Sequence, residues 1–248
     1  RLNPHVQVFG PLPIEMKQYL LSVIAETVDL DNPESLALEE AFFHVCNRYD
    51  AETDFFNEVH NFHSDVLPNK SLAQKLQPYY DYVITHFLPD HVVFRSQVVK
   101  NLPGKIVHPH IDPRIYHRLS HRVHAVLTTN DRCRHVYFNA ADNYSTTFFK
   151  MEPDFIYDFD NITPHAAFNL GDSDRLHVIT DIIHKDNLEK YRHIFEQNPN
   201  ALMPTTYEEY YQHLNAINEK YGDKDGLQAY YLSHLDNGEA TATIQYPR

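Results

Sequence analysis

At 248 residues with 42% apolar content, the chain is long enough to bury a substantial core, which excludes intrinsic disorder as its main state. Its 21 lysines and arginines against 34 aspartates and glutamates give a net charge of −13, a field that repels a phosphate backbone and argues against a nucleic-acid partner. No apolar run approaches the ~18 residues of a membrane span, and Pro4, Pro11 and Pro13 interrupt any signal-like core, so the expectation is a soluble, cytoplasmic protein with no membrane attachment.

Read in chain order, the sequence predicts one domain over 1–248: a helical support region (1–90), a β core (91–184) and a C-terminal helical region (185–248). A Pro-punctuated extended segment leads into a helix over Ile14–Thr27, where Leu20, Val23 and Ile24 follow a 3.6-residue period. A second helix is expected from Pro33 or Glu34 to Arg48, with Asn32 as its cap. Residues 49–68 give no periodic signal, and a third helix is expected over Ser71–His86, ended by Leu88-Pro89. From His91 the pattern changes to short β-rich runs: Val92–Val99, Ile106–Val107, Arg122–Thr128, His135–Phe138, Thr146–Met151, Phe155–Phe159, Ala166–Leu170 and Arg175–Ile183, each bounded by Asn, Asp, Gly or Pro. Many short strands without helices between them indicate a mainly β barrel or sandwich rather than a βαβ sheet. Helices return over Asn187–Gln197 and Tyr207–Tyr221.

Histidine is the compositional outlier, with 18 copies, six of them between His108 and His135. In His108-Pro-His110-Ile-Asp112, residues two apart on an extended strand project to one face, so His110 and Asp112 offer an imidazole nitrogen and a carboxylate oxygen to one point. His165, directly after the Thr163-Pro164 turn, is the best third ligand, and two histidines with one carboxylate leave three octahedral positions open, as in non-haem Fe(II) oxygenases; zinc is the main rival. His108 competes with His110 and is assigned to the pocket wall, while His117, His121 and His135 read as loop or surface residues. Arg175 opens an otherwise apolar strand and needs a counter-charge there, which a bound dicarboxylate would supply. Arg122 and His124 share one strand face and could hold the other end of such a diacid. Asn169 either orients His165 or caps a turn. The two cysteines, Cys46 and Cys133, are expected as buried thiols.

The order Gly104, His110-x-Asp112, Arg122-x-His124, His165-x-x-x-Asn169 and Arg175 resembles the aspartyl/asparaginyl β-hydroxylase family of Fe(II)- and 2-oxoglutarate-dependent dioxygenases over about Val92–His184. The resemblance implies a double-stranded β-helix, or jelly roll, flanked by N- and C-terminal helices. It implies iron ligation by His110, Asp112 and His165, a salt bridge from Arg175 to the distal carboxylate of 2-oxoglutarate, and Arg122 and His124 near its other carboxylate. O2 would be the second cosubstrate, and the substrate an amino acid, free or within a peptide. Two other readings are a zinc or manganese cupin-like hydrolase or isomerase using the same trio, and a non-catalytic β-barrel binding module. Arg114, Arg118, Arg132 and Arg134 are candidates to hold a substrate carboxylate.

Overall fold

The computed structural model describes residues 5–27, 42–46, 70–198, 201–203, 206–238, 241–242 and 244. The strands are β1 (Val6–Pro11), β2 (Phe42–Cys46), β3 (His91–Asn101), β4 (Lys105–His110), β5 (Ser120–Thr128), β6 (Cys133–Asn139), β7 (Ser145–Phe149), β8 (Phe155–Phe159), β9 (His165–Asn169) and β10 (Arg175–His184). They form a six-stranded sheet, β1-β8-β5-β10-β3-β2, and a four-stranded sheet, β4-β9-β6-β7, with antiparallel pairing throughout. From β3 to β10 the chain passes back and forth between the two sheets, which is the double-stranded β-helix that the resemblance implies. Gly104 turns the chain between β3 and β4 at φ +74°, a left-handed conformation that favours glycine.

Seven helices are described: α1 (Ile14–Thr27), α2 (Lys70–Lys75), α3 (Gln77–His86), α4 (Ile115–Leu119), α5 (Lys185–Gln197), α6 (Thr206–Tyr221) and α7 (Lys224–Asp236). None of the described helices is long and apolar enough to cross a membrane. Strand alternation sorts the side chains into layers. Leu176, Val178 and Ile182 of β10, with Val123, Ala125 and Leu127 of β5, face outward and pack with Leu20 and Ile24 of α1, Leu72 of α2 and Val83 of α3. Val136 and Phe138 of β6 and Phe168 of β9 face outward from the smaller sheet against Ile217 of α6 and Leu227 and Tyr231 of α7. A further apolar cluster is formed by Val126, Tyr137, Phe149, Tyr157 and Phe159, drawn from both sheets.

Four expectations change. The predicted helix to Arg48 is a strand over Phe42–Cys46, which pairs with β3 and takes up the ladder bonds of that edge; the rest of the prediction, with the loop over 49–68, lies outside the described residues. The single helix over Ser71–His86 is two, because Pro78 in the first turn of α3 has no N–H for a continuous ladder. The 1–90 region is not purely helical, since β1 and β2 are the edge strands of the larger sheet. Finally, α4 and α7 had not been foreseen.

Candidate active site

The inward faces of both sheets are unusually polar. Arg95, Gln97, Arg122, His124, His135, His165, Arg175, His177 and Asp181 are all buried. A polar interior is costly unless its groups are paired or meet a ligand.

β4 and β9 are antiparallel neighbours with His110 directly opposite His165, which brings their ring centroids to 4.3 Å. His110 Nδ1 lies 2.7 Å from the His108 carbonyl and His165 Nδ1 lies 2.9 Å from the Thr163 carbonyl. Each Nδ1 therefore donates to a backbone oxygen two residues earlier, which leaves Nε2 as the nitrogen turned to the site. Asp112 follows β4 and is fixed by its own N–H to the Asn161 carbonyl at 3.0 Å. Its Oδ2 accepts from Asn161 Nδ2 at 3.0 Å and is gripped by Arg122 Nη1, while its Oδ1 lies 3.9 Å from His110 Nε2. The three donor groups thus lie within 4.8 Å of one another. Two imidazole nitrogens and one carboxylate oxygen suit a first-row divalent ion, so the residues present fit the metal that the resemblance implies.

The electrostatics favour the same set. Burial would raise the Asp112 carboxyl, but Arg122 first, then the neighbouring histidines, hold it well below the usual carboxylate range. His165 is pushed down to about 3, mainly by burial and then by His110, so it is neutral at pH 7. Arg122 is itself clamped by Asp181, Nε to Oδ1 at 2.9 Å and Nη2 to Oδ2 at 3.2 Å, with Arg95 Nη1 3.6 Å from Asp181 Oδ2. Arg122 was expected beside a cofactor carboxylate. In the structure its guanidinium is committed to Asp112 and Asp181, so it braces the Asp112 carboxylate.

Strand register sets out the rest of the interior. His110, Asp112, His165 and Arg122 lie at one end, and Arg175 at the other, where the start of β10 pairs with the ends of β3 and β5. His124 of β5, His135 of β6 and His177 of β10 lie between. Arg175 is buried, and among the described residues no carboxylate pairs with it; its Nη1 reaches His135 Nε2 at 3.2 Å.

The reading of His117 and His135 as surface residues is overturned, since both are buried; His121 is partly exposed and bonded to Asp158 at 2.7 Å. Asn169 does not orient His165: its side chain ties the Asn101 and Ser173 carbonyls and the Gly171 N–H, so it organises the turn before β10. Arg118 pairs with Glu209, Arg132 with Asp236, and Arg134 with Thr241, which leaves none of the three on the trio. Cys133 is a buried free thiol, and the Cys46 side chain lies outside the described residues. His177 was missed, although Arg175-Leu-His177 on a strand places both polar side chains on one face.

Beside Asp112 is a cavity of about 150 Å³ lined by His5, His117, His121, Asp158, Asp160 and Asn161, among others. Asn161 joins it to the Asp112 carboxylate.

The class is thus a double-stranded β-helix in which two histidines from adjacent strands and the carboxylate just after one of them form a group that could hold a metal ion. Residues 73–185 match the family described as Aspartyl/Asparaginyl beta-hydroxylase, as the sequence motifs led us to expect, and the matched segment carries His110, Asp112, Arg122, His124, His165 and Arg175. No curated protein matches the sequence. Among solved structures, the chain is similar to an oxidoreductase of the 2OG-Fe(II) oxygenase family from Burkholderia pseudomallei, at 9% identity over 69% of this chain and 79% of that one, with a TM-score of 0.49. It is also similar to a viral collagen prolyl hydroxylase from Paramecium Bursaria Chlorella virus-1 (10% identity, 73% and 96% covered, TM-score 0.43). A third is a Pseudomonas putida prolyl-4-hydroxylase (14% identity, 73% and 94% covered, TM-score 0.44). Likeness at those scores is too distant to carry chemistry.

Proposed function

We propose that the protein is an Fe(II)- and 2-oxoglutarate-dependent dioxygenase that hydroxylates an unactivated C–H of an amino acid, free or within a peptide. The single observation that carries this reading is the shared interior: the His110, Asp112 and His165 trio at one end and a buried, acid-free Arg175 at the other. When bound, iron with 2-oxoglutarate and O2 supplies the oxidising chemistry, releasing succinate and CO2.

The chain's own residues supply the rest. His110 and His165, held in one tautomer by the His108 and Thr163 carbonyls, would ligate through Nε2. Asp112 would ligate through Oδ1, because Arg122 and Asn161 occupy Oδ2. Arg175 would bind the distal carboxylate of the keto-diacid, and His124 would line its path. The walls Phe159, Tyr137 and Val126 exclude water from the interior. The cavity beside Asn161 would take the substrate. Its carboxylates and imidazoles, paired as His5 with Asp160 and His121 with Asp158, offer hydrogen-bonding groups to both ends of a zwitterionic amino acid.

A zinc or manganese enzyme without a cosubstrate would use the same trio but would leave Arg175 without a purpose. The test is anaerobic addition of Fe(II) and 2-oxoglutarate, read by the weak visible charge-transfer band, followed by a succinate-release screen over free amino acids and short peptides. The band together with substrate-dependent succinate is expected. One metal bound per chain with no effect of 2-oxoglutarate would favour the cosubstrate-free enzyme, and no metal bound would favour the binding module.

A further inference from the structure

A second group of metal-like geometry lies deeper in the interior. The ring nitrogens of His124, His135 and His177 come within 4.8 Å of one another, and all three residues are buried. Their rings pack against one another, with centroids 5.6 to 5.8 Å apart. Phe159 packs on His124 at 5.0 Å and on His135 at 5.3 Å, and also on His165 at 5.2 Å, so it forms a common wall with the trio.

Three atoms here are buried with no hydrogen-bond partner: Nε2 of His124, Nε2 of His177 and Nε of Arg175. Orphaned polar atoms at this depth are rare and point to a missing partner. The partner is better an anion than a cation. Arg175 is a fixed positive charge in contact with His135, the cluster contains no carboxylate, and a metal ion would be repelled there. Proton placement agrees. Arg175 Nη1 donates to His135 Nε2, which puts the His135 proton on Nδ1. His124 and His177 meet Nδ1 to Nδ1 at 3.3 Å, so one ring donates, and the accepting ring carries its proton on its orphaned Nε2. That N–H and Arg175 Nε–H are two buried donors awaiting acceptors. Burial first, then the Arg175 charge, keeps His135 and His177 uncharged at pH 7, so they leave Arg175 as the charged partner of an anion, His135 in contact with its Nη1 and His177 with an open Nε2 beside it.

The length also fits. His165 pairs with Tyr137, and His135 is two residues further along β6, about 7 Å deeper. An extended five-carbon diacid spans about 5 Å between its carboxyl carbons.

We infer that His135 and His177 are specificity-determining residues of the keto-diacid pocket, holding its distal carboxylate together with Arg175 and setting the length of diacid accepted. This rests on the proposed dioxygenase reading. The test is calorimetric binding to the full chain loaded with Mn(II) in place of iron, so that no turnover occurs. The probes are 2-oxoglutarate, 2-oxoadipate and the monoacid 2-oxobutyrate. His177→Ala and His135→Ala should each weaken 2-oxoglutarate by about tenfold to a hundredfold while 2-oxobutyrate changes less than threefold, the lost contact being a hydrogen bond to a charged group. His177→Ala should also narrow the gap between 2-oxoglutarate and 2-oxoadipate. His177→Gln, which keeps a donor near the Nε2 position, should recover most of the loss and covers the case in which the alanine variant fails to fold. Equal loss for diacid and monoacid, or no loss for either, would overturn the inference while leaving the dioxygenase reading intact. No 2-oxoglutarate binding to the unmutated chain would overturn both. A second Mn(II) or Zn(II) per chain that disappears in His135→Ala and His177→Ala would show the cluster to be a metal site instead.

Discussion

Arg122 sits at the junction between folding and chemistry. It is buried and turns all three of its guanidinium nitrogens to two carboxylates, so its removal leaves Asp112 and Asp181 charged in a dry interior. We expect Arg122→Ala to destabilise the chain by about 3–5 kcal/mol in urea unfolding, the cost of orphaning a buried ion pair. It should also raise the Asp112 pKa and make metal binding fail at a higher pH than in the unmutated protein, measured as Fe(II) occupancy against pH. Unchanged occupancy across that range would mean that Arg122 does not tune the ligand. His110→Ala and His165→Ala should each abolish stoichiometric Fe(II) binding while leaving the far-ultraviolet circular dichroism intact, since each removes one of two imidazole donors from an edge of the interior. His165→Ala with full iron occupancy would remove it from the proposed ligand set.

At the scale of the element, β10 shows how a strand divides stability from function. Its outward residues Leu176, Val178 and Ile182 join the core beneath α1 and α3, and its inward residues Arg175, His177 and Asp181 line the interior. Ile182→Ala, at a fully buried position, should cost about 2–5 kcal/mol of stability with 2-oxoglutarate affinity unchanged. Arg175→Ala should do the reverse, raising the 2-oxoglutarate concentration needed for turnover by at least tenfold while iron binding persists. Loss of iron binding in Arg175→Ala would show that the two ends of the interior are not separate. The alternation was legible in Arg175-Leu-His177-Val-Ile-Thr-Asp181, because period-two patterning needs no knowledge of neighbours. β2 was not legible, because Phe42–Cys46 is apolar enough for either state and only the open edge of β3 selects a strand.

Across the whole molecule, the buried histidines set the response to acid. Burial first, then nearby arginines among other charges, pushes His117, His124, His135 and His177 well below their ordinary 6.5. The unfolded chain binds protons below about pH 6.5 that the folded chain refuses, so stability falls as pH falls through that value, by up to about 1.4 kcal/mol per pH unit for each histidine. His121 has the opposite sign: its bond to Asp158 raises its pKa, so its contribution is full below 6.5 and fades as pH rises through the raised value. Urea midpoints of the metal-free chain at pH 5.5 and 7.5 should differ clearly, with the lower value in acid; equal midpoints would mean that these imidazoles are solvated in the folded state.

The sequence by itself determined the strand pattern of the core and the pairing of His110 with Asp112, because both follow from local periodicity and spacing. It also singled out Arg175, since a cation opening a largely apolar strand demands a partner wherever that strand lies. Only the tertiary structure decided that Arg122 grips Asp112, that Asn169 ties a turn, and that His135 and His177 stack on one another. The physical reason is that these side chains come from strands far apart in sequence, some on facing sheets. Their partners are fixed by register and by the sandwich closing over them, and neither is written in the spacing of any single segment.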